Sequence, residues 1–71
     1  MNLTELEVKA IVYPDWEYRP AFTMKVKDEG SFYRIDGTHI IDKHKIREVY
    51  QVDSKVEIVM TDQTISLELK E

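Results

Sequence analysis

Lys55-Val56-Glu57-Ile58-Val59-Met60-Thr61-Asp62-Gln63-Thr64-Ile65-Ser66-Leu67-Glu68-Leu69-Lys70 is the stretch that decides the fold. Val56, Ile58 and Met60 alternate with Glu57, Val59 and Thr61, and beyond Asp62-Gln63 the residues Ile65, Leu67 and Leu69 alternate with Thr64, Ser66, Glu68 and Lys70. Successive side chains on a strand point to opposite faces, so this is the pattern of two half-buried strands around a turn. A two-residue loop sets Met60 opposite Ile65, Ile58 opposite Leu67 and Val56 opposite Leu69. All six apolar side chains then share one face, which is what fixes a register. On the other face the same register opposes Glu57 to Glu68 and Lys55 to Lys70. Those like-charge contacts are unfavourable, although the diagonals Lys55–Glu68 and Glu57–Lys70 offset them. Gln63 also lacks the glycine usual at the second turn position, which leaves a slightly longer loop as the alternative.

Residue choice elsewhere agrees with strands. Ile, Val and Thr make 19 of the 71 residues, whereas Ala occurs only at positions 10 and 21. Branched β-carbons lose rotamer freedom in a helix and suit a pleated surface, and Ala is the strongest helix former. A chain of this length is read as one small β domain spanning residues 1–71, near the lower size limit for folding alone. It has no cysteine, so neither a disulfide nor a thiolate zinc site can support it. Apolar packing, or assembly with another chain, must carry the stability.

Upstream, Leu6, Val8, Ala10 and Val12 alternate with Glu7, Lys9 and Ile11 up to Tyr13-Pro14, where proline ends a strand. Pro14 and Pro20 bracket a segment read as irregular, Asp15-Trp16-Glu17-Tyr18-Arg19. A second strand follows with Phe22, Met24 and Val26 on one face, then a turn at Asp28-Glu29-Gly30. Phe32 to Ile41 reads as a hairpin turning at Asp36-Gly37, since a type I′ turn needs positive φ at both central residues. A two-residue loop there pairs Ile35 with Thr38 and Arg34 with His39, and puts Tyr33, Ile35 and Ile40 on one face. Asp42 to Lys45 is a polar connection. Ile46, Val49 and Tyr50 have helical spacing while Tyr50 and Val52 alternate, which a short helical turn running into a strand would satisfy. Asp53-Ser54 is a turn. The expectation is an all-β, small antiparallel meander of five to seven short strands, curled into a barrel or roll, with one short helical turn near 43–49. A sheet that stays open and buries its second face against a copy of itself is the alternative.

The net charge of −4 opposes a protein that coats nucleic acid, because phosphate binding draws on Lys and Arg. Residues 30–50 are the one net-positive segment, where Lys43, His44, Lys45 and Arg47, with Arg34 brought near through the hairpin, form a basic cluster. Phosphate contact with Tyr33 or Phe32 stacking on a base is the reading this cluster supports, against which stand Asp36, Asp42 and Glu48. His39, Asp42 and His44 are the only metal-like grouping, but residues 39 and 44 point to opposite sides of an extended chain and no further ligand lies nearby. Ser31, Ser54 and Ser66 sit in turns or face outward, and Gly30 and Gly37 are the only glycines, so neither a nucleophile elbow nor a phosphate loop is present. No catalytic residue, metal or cofactor is expected.

Tyr13, Trp16, Tyr18 and Arg19 are the best interaction candidates: the only Trp, two tyrosines and an arginine in seven residues, all types that dominate interface hot spots. The structural alternative is that Trp16 folds over the open end of the core. No apolar run approaches the ~20 residues of a membrane span, and Met1 to Glu5 lacks the basic start and apolar stretch of a signal peptide. The sequence therefore points to a non-catalytic, cytoplasmic β module that binds a protein partner or itself as a homodimer, with no membrane contact. A small nucleic-acid-binding regulator using Arg34, Lys43, Lys45 and Arg47 is the alternative.

Overall fold

In the computed structural model, which describes residues 2–71, eight antiparallel strands form one meander sheet. They are β1 (Glu7–Val12), β2 (Glu17–Tyr18), β3 (Met24–Asp28), β4 (Phe32–Ile35), β5 (His39–Asp42), β6 (Ile46–Val52), β7 (Lys55–Met60) and β8 (Thr64–Leu69), with 3₁₀ turns at Leu3–Glu5 and Lys43–Lys45. The order across the sheet is β5-β4-β3-β1-β8-β7-β6, and β2 pairs with β1 off that path. The first long strand and the last therefore lie side by side in the middle. The two outermost strands, β5 and β6, are joined through three residues. Asp42 caps that 3₁₀ turn by accepting from the His44 N–H at 2.9 Å. The sheet is not closed: no ladder joins β5 to β6 among the described residues.

The C-terminal hairpin keeps its predicted faces and changes its loop. Ile58 lies opposite Ile65, Val56 opposite Leu67 and Lys55 opposite Glu68, with Met60 to Gln63 as the turn. This is a slip of two residues from the two-residue-loop register, so no side chain changes face. Val56, Ile58, Met60, Ile65 and Leu67 are buried, and Leu69 is half-buried. The slip also removes both like-charge pairs. Lys55 now faces Glu68, and Glu57 faces Ser66, whose hydroxyl donates to its carboxylate at 2.7 Å.

Elsewhere single-residue differences do change faces. In β1 the register shifts between Val8 and Ala10, a bulge that absorbs Lys9 and turns Ile11, expected outside, into the core. At the β4–β5 hairpin Asp36 and Gly37 both have positive φ, as expected, but Thr38 joins the loop. Ile35 then pairs with His39 and Tyr33 with Ile41, so Ile41 is buried and Ile40 exposed, the reverse of the two-residue reading. Phe22, assigned to a strand, lies before β3 and is exposed. The supposedly irregular segment contains β2, which makes the eighth strand. The helical turn is confined to Lys43–Lys45, and Ile46 already belongs to β6.

The core is one cluster built from Leu3, Val8, Ile11, Met24, Val26, Ile35, Ile41, Val56, Ile58, Met60, Ile65 and Leu67. Leu3 enters it from the N-terminal 3₁₀ turn, which Asn2 caps by accepting from the Thr4 N–H at 3.1 Å. The spacing Asn2 to Glu5 is that of a capping box, a signal in the sequence that marks this turn. No buried side-chain polar atom among the described residues lacks a hydrogen-bond partner.

Candidate functional site

The β1–β2 hairpin carries the aromatic residues. Ile11 pairs with Tyr18 and Val12 with Glu17, and the Tyr13 N–H donates to the Trp16 carbonyl at 2.8 Å, so Pro14-Asp15 is a two-residue loop. Proline holds φ negative, and neither loop residue has positive φ, so this is not one of the primed turns that match strand twist. Unprimed turns splay the strands, in keeping with a ladder of only two pairs before Pro20. Alternation places Ile11, Tyr13, Trp16 and Tyr18 on one face and Val12, Glu17 and Arg19 on the other.

That first face runs from core into solvent. Ile11 is fully buried, Tyr18 and Tyr13 are half-buried against the core cluster, and Trp16 is 51% exposed and outside it. Trp16 thus does not cap the core. It lies on Tyr13, ring centroids 4.7 Å apart and planes within 6°. His39, at the start of β5, completes the group: its Nδ1 lies 2.8 Å from the Tyr13 hydroxyl, and its ring centroid lies 4.5 Å from that of Tyr18. The Tyr18 hydroxyl donates to Asp36 Oδ2 at 2.6 Å. β5 is three ladder steps from β1, roughly 14 Å on a flat sheet at about 4.8 Å per step, so the Tyr13–His39 contact reflects the curl of the sheet.

Both phenols titrate above their ordinary range. Burial raises Tyr13, and for Tyr18 the hydrogen bond to Asp36 comes first, then burial and the carboxylate's charge. They stay neutral, polar-tipped rings through the physiological range. The corner is a stacked pair braced from behind by two hydroxyl contacts, with one large apolar face open to solvent.

Arg19, expected beside the aromatics, is elsewhere. On the opposite face its guanidinium meets Glu68 with two contacts of 3.0 Å and Glu17 at 2.9 Å. The hydrogen bond from Arg19 holds the Glu68 carboxyl below the usual carboxylate range. His39 and Asp36 are the members that sequence reasoning missed. The two-residue loop put His39 on the face away from Ile35; counting Thr38 into the turn would have placed it beside Tyr13 and Tyr18.

The basic residues do not form one patch. Arg34 pairs with Glu29 at 2.9 Å and donates to the Gly37 carbonyl at 3.0 Å, its guanidinium 5.3 Å from the centre of the Phe32 ring. Lys43 meets Asp28 at 2.7 Å, over the Tyr33 ring, and Lys45 meets Asp62 at 3.4 Å. Arg47 has no carboxylate within ion-pair distance among the described residues. Asp42 is occupied in capping its turn, and no three His, Cys, Asp or Glu residues among those described are grouped to hold a metal ion. No cleft opens among the described residues, and no helix is long and apolar enough to cross a membrane.

Comparison with protein-family models, with curated proteins and with solved structures found no match to this chain.

Proposed function

We propose that this chain is a non-catalytic β module that binds a protein partner through the corner formed by Tyr13, Trp16, Tyr18 and His39. The supporting observation is Trp16 itself, half exposed yet held flat on Tyr13 by a group that is hydrogen-bonded on both sides. A rigid aromatic surface loses little side-chain freedom on binding, which is why Trp and Tyr dominate interface hot spots. Asp15 in the hairpin loop and Asp36 beside Tyr18 are the carboxylates nearest it, so the partner surface it suits is apolar with a basic rim. A cytoplasmic location belongs to the same proposal.

Co-purification from the native host, with wild type and Trp16→Ala in parallel, tests it. The expected result is a partner retained by wild type and lost by Trp16→Ala while both melt at nearly the same temperature. If Trp16→Ala keeps every association, the corner is not the binding surface. The nucleic-acid alternative has less behind it, since Arg34, Lys43 and Lys45 each already neighbour a carboxylate. It would require retention on DNA or RNA at low salt that falls steeply as salt is raised.

A further inference from the structure

We infer that β6 is a self-association edge, and that two copies of this chain pair their β6 strands antiparallel about Tyr50. The inference concerns a surface separate from the aromatic corner and does not depend on it.

Among the described residues β6 is the longest strand, seven residues, and pairs only with β7. Val52 and Lys55 close the Asp53-Ser54 turn, in which Asp53 has positive φ and Ser54 does not, the φ pattern of a type II′ hairpin. A two-residue hairpin makes that closing pair hydrogen-bonded, so Val52 and Tyr50 direct their backbone groups to β7. Val49 and Gln51 direct theirs outward, and no backbone partner among the described residues meets them.

Exposed edges are usually blunted by lysine, proline, shortness or a bulge. β5, the other edge, is only four residues long. β6 has a bulge at Arg47, where the register shifts between Ile46 and Glu48, but beyond it Glu48–Val52 stays in regular register with no Lys or Pro. Tyr50 and Val52 in that segment are 41% and 49% exposed.

The occupant follows from the segment's own chemistry. Residues 46–52 carry one Arg and one Glu, so the strand itself adds no net charge to a seam between two copies, and the turn residue Asp53 supplies a carboxylate for Arg47. A two-fold axis normal to the sheet keeps side chains on their own faces, so residues of like parity must pair. Centring on Glu48 would oppose two carboxylates. Centring on Tyr50, the midpoint of the regular segment, pairs Tyr50 with its copy and Val49 with Gln51, the outward-directed residues. It also brings Arg47, at the bulge and without a carboxylate partner among the described residues, toward Asp53 in the turn of the second copy, twice over.

Sedimentation velocity over a dilution series, combined with amide hydrogen exchange on the same samples, tests the pairing. The expected result is a reversible dimer in which Val49 and Gln51 amides gain protection with concentration while the Tyr50 amide is protected throughout. Arg47→Glu should raise the dissociation constant roughly tenfold, as two exposed ion pairs become repulsive. Adding Asp53→Asn, which tolerates the positive φ, should recover part of that loss. A chain that is monomeric at about 1 mM overturns the inference. So does a dimer whose Val49 and Gln51 exchange is indifferent to concentration, or one that Arg47→Glu leaves as tight as wild type. Thermal melts of each variant check that it is folded. A dimer lost in Trp16→Ala would belong to the aromatic corner and would also sink the β6 pairing.

Discussion

Two hairpins in this molecule use alternation to opposite ends. In the β7–β8 hairpin the inward Val56, Ile58, Met60, Ile65 and Leu67 are apolar and buried, and on the outer face Lys55 lies opposite Glu68 and Glu57 opposite Ser66. In the β1–β2 hairpin the inward face starts at buried Ile11 and continues through Tyr18 and Tyr13 to Trp16, which stands beyond the core. One hairpin uses its inner face entirely for stability. The other extends that face past the point where the sheet can cover it, and there the side chains become polar-tipped aromatics suited to a half-wet setting.

The comparison is sharpened by mutations on each side. Ile58→Ala empties a fully buried position and is expected to cost about 3 kcal/mol, read from urea denaturation, the usual range for such truncations being roughly 2–5 kcal/mol. A loss no greater than that of the aromatic variants would erase the contrast. Tyr18→Phe removes the hydroxyl from Asp36 and keeps the ring, with an expected loss well below that of Ile58→Ala, since one net hydrogen bond is given up and no cavity is made. Trp16→Ala should cost about 0.5 kcal/mol, because a half-exposed ring outside the core surrenders only its stacking on Tyr13.

The smallest effect is one of pH. The Glu68 and Asp28 carboxyls are held below their ordinary range, chiefly by hydrogen bonds from Arg19 and Lys43. A carboxyl whose folded pKa is depressed contributes stability that is fully present above its unfolded value, near 4, and is lost as pH falls through the folded value. The urea midpoint should therefore decline below about pH 4. Arg19→Met should flatten that decline, modestly, since exposed pairs contribute little. An unchanged acid limb in Arg19→Met would show that the Arg19–Glu68 contact does not contribute.

What could be read from the residues depended on whether an error moved side chains by one position or by two. The inner face of β7–β8 was legible because six apolar residues tolerate a slip of two without leaving it, whereas the register expected from a turn at Asp62-Gln63 was two residues off and the like charges it opposed on the outer face were the sign against it. At Asp36-Gly37 one added loop residue exchanged Ile40 for Ile41 in the core and brought His39 to the aromatic corner. Turn chemistry announced positive φ there but not the loop length. The bulge at Lys9 was invisible for a similar reason: nothing local distinguishes Ala10-Ile11 as consecutive buried residues from a plain alternation. Tyr13, Trp16 and Tyr18 were found by composition, while Arg19 was misplaced because proximity in sequence ignores which face of a strand a residue occupies.

The three-residue turn Lys43–Lys45 joins the two outermost strands, which obliges the strands nearest the two ends of the described chain, β1 and β8, to meet at the centre of the sheet. Four of the other five neighbouring pairs on the main path form through a tight turn or short loop and β1–β3 through the segment that carries β2, but this one needs a contact between the most distant parts of the described chain. On a ribosome the seam would be the last to form, leaving β1 and β7 as temporary unpaired edges until β8 emerges. A circular permutant opened at His44, with the present ends tied, would turn this long-range seam into a local one. Its strands would follow one another across the sheet in simple chain order, and its folding should be the faster of the two.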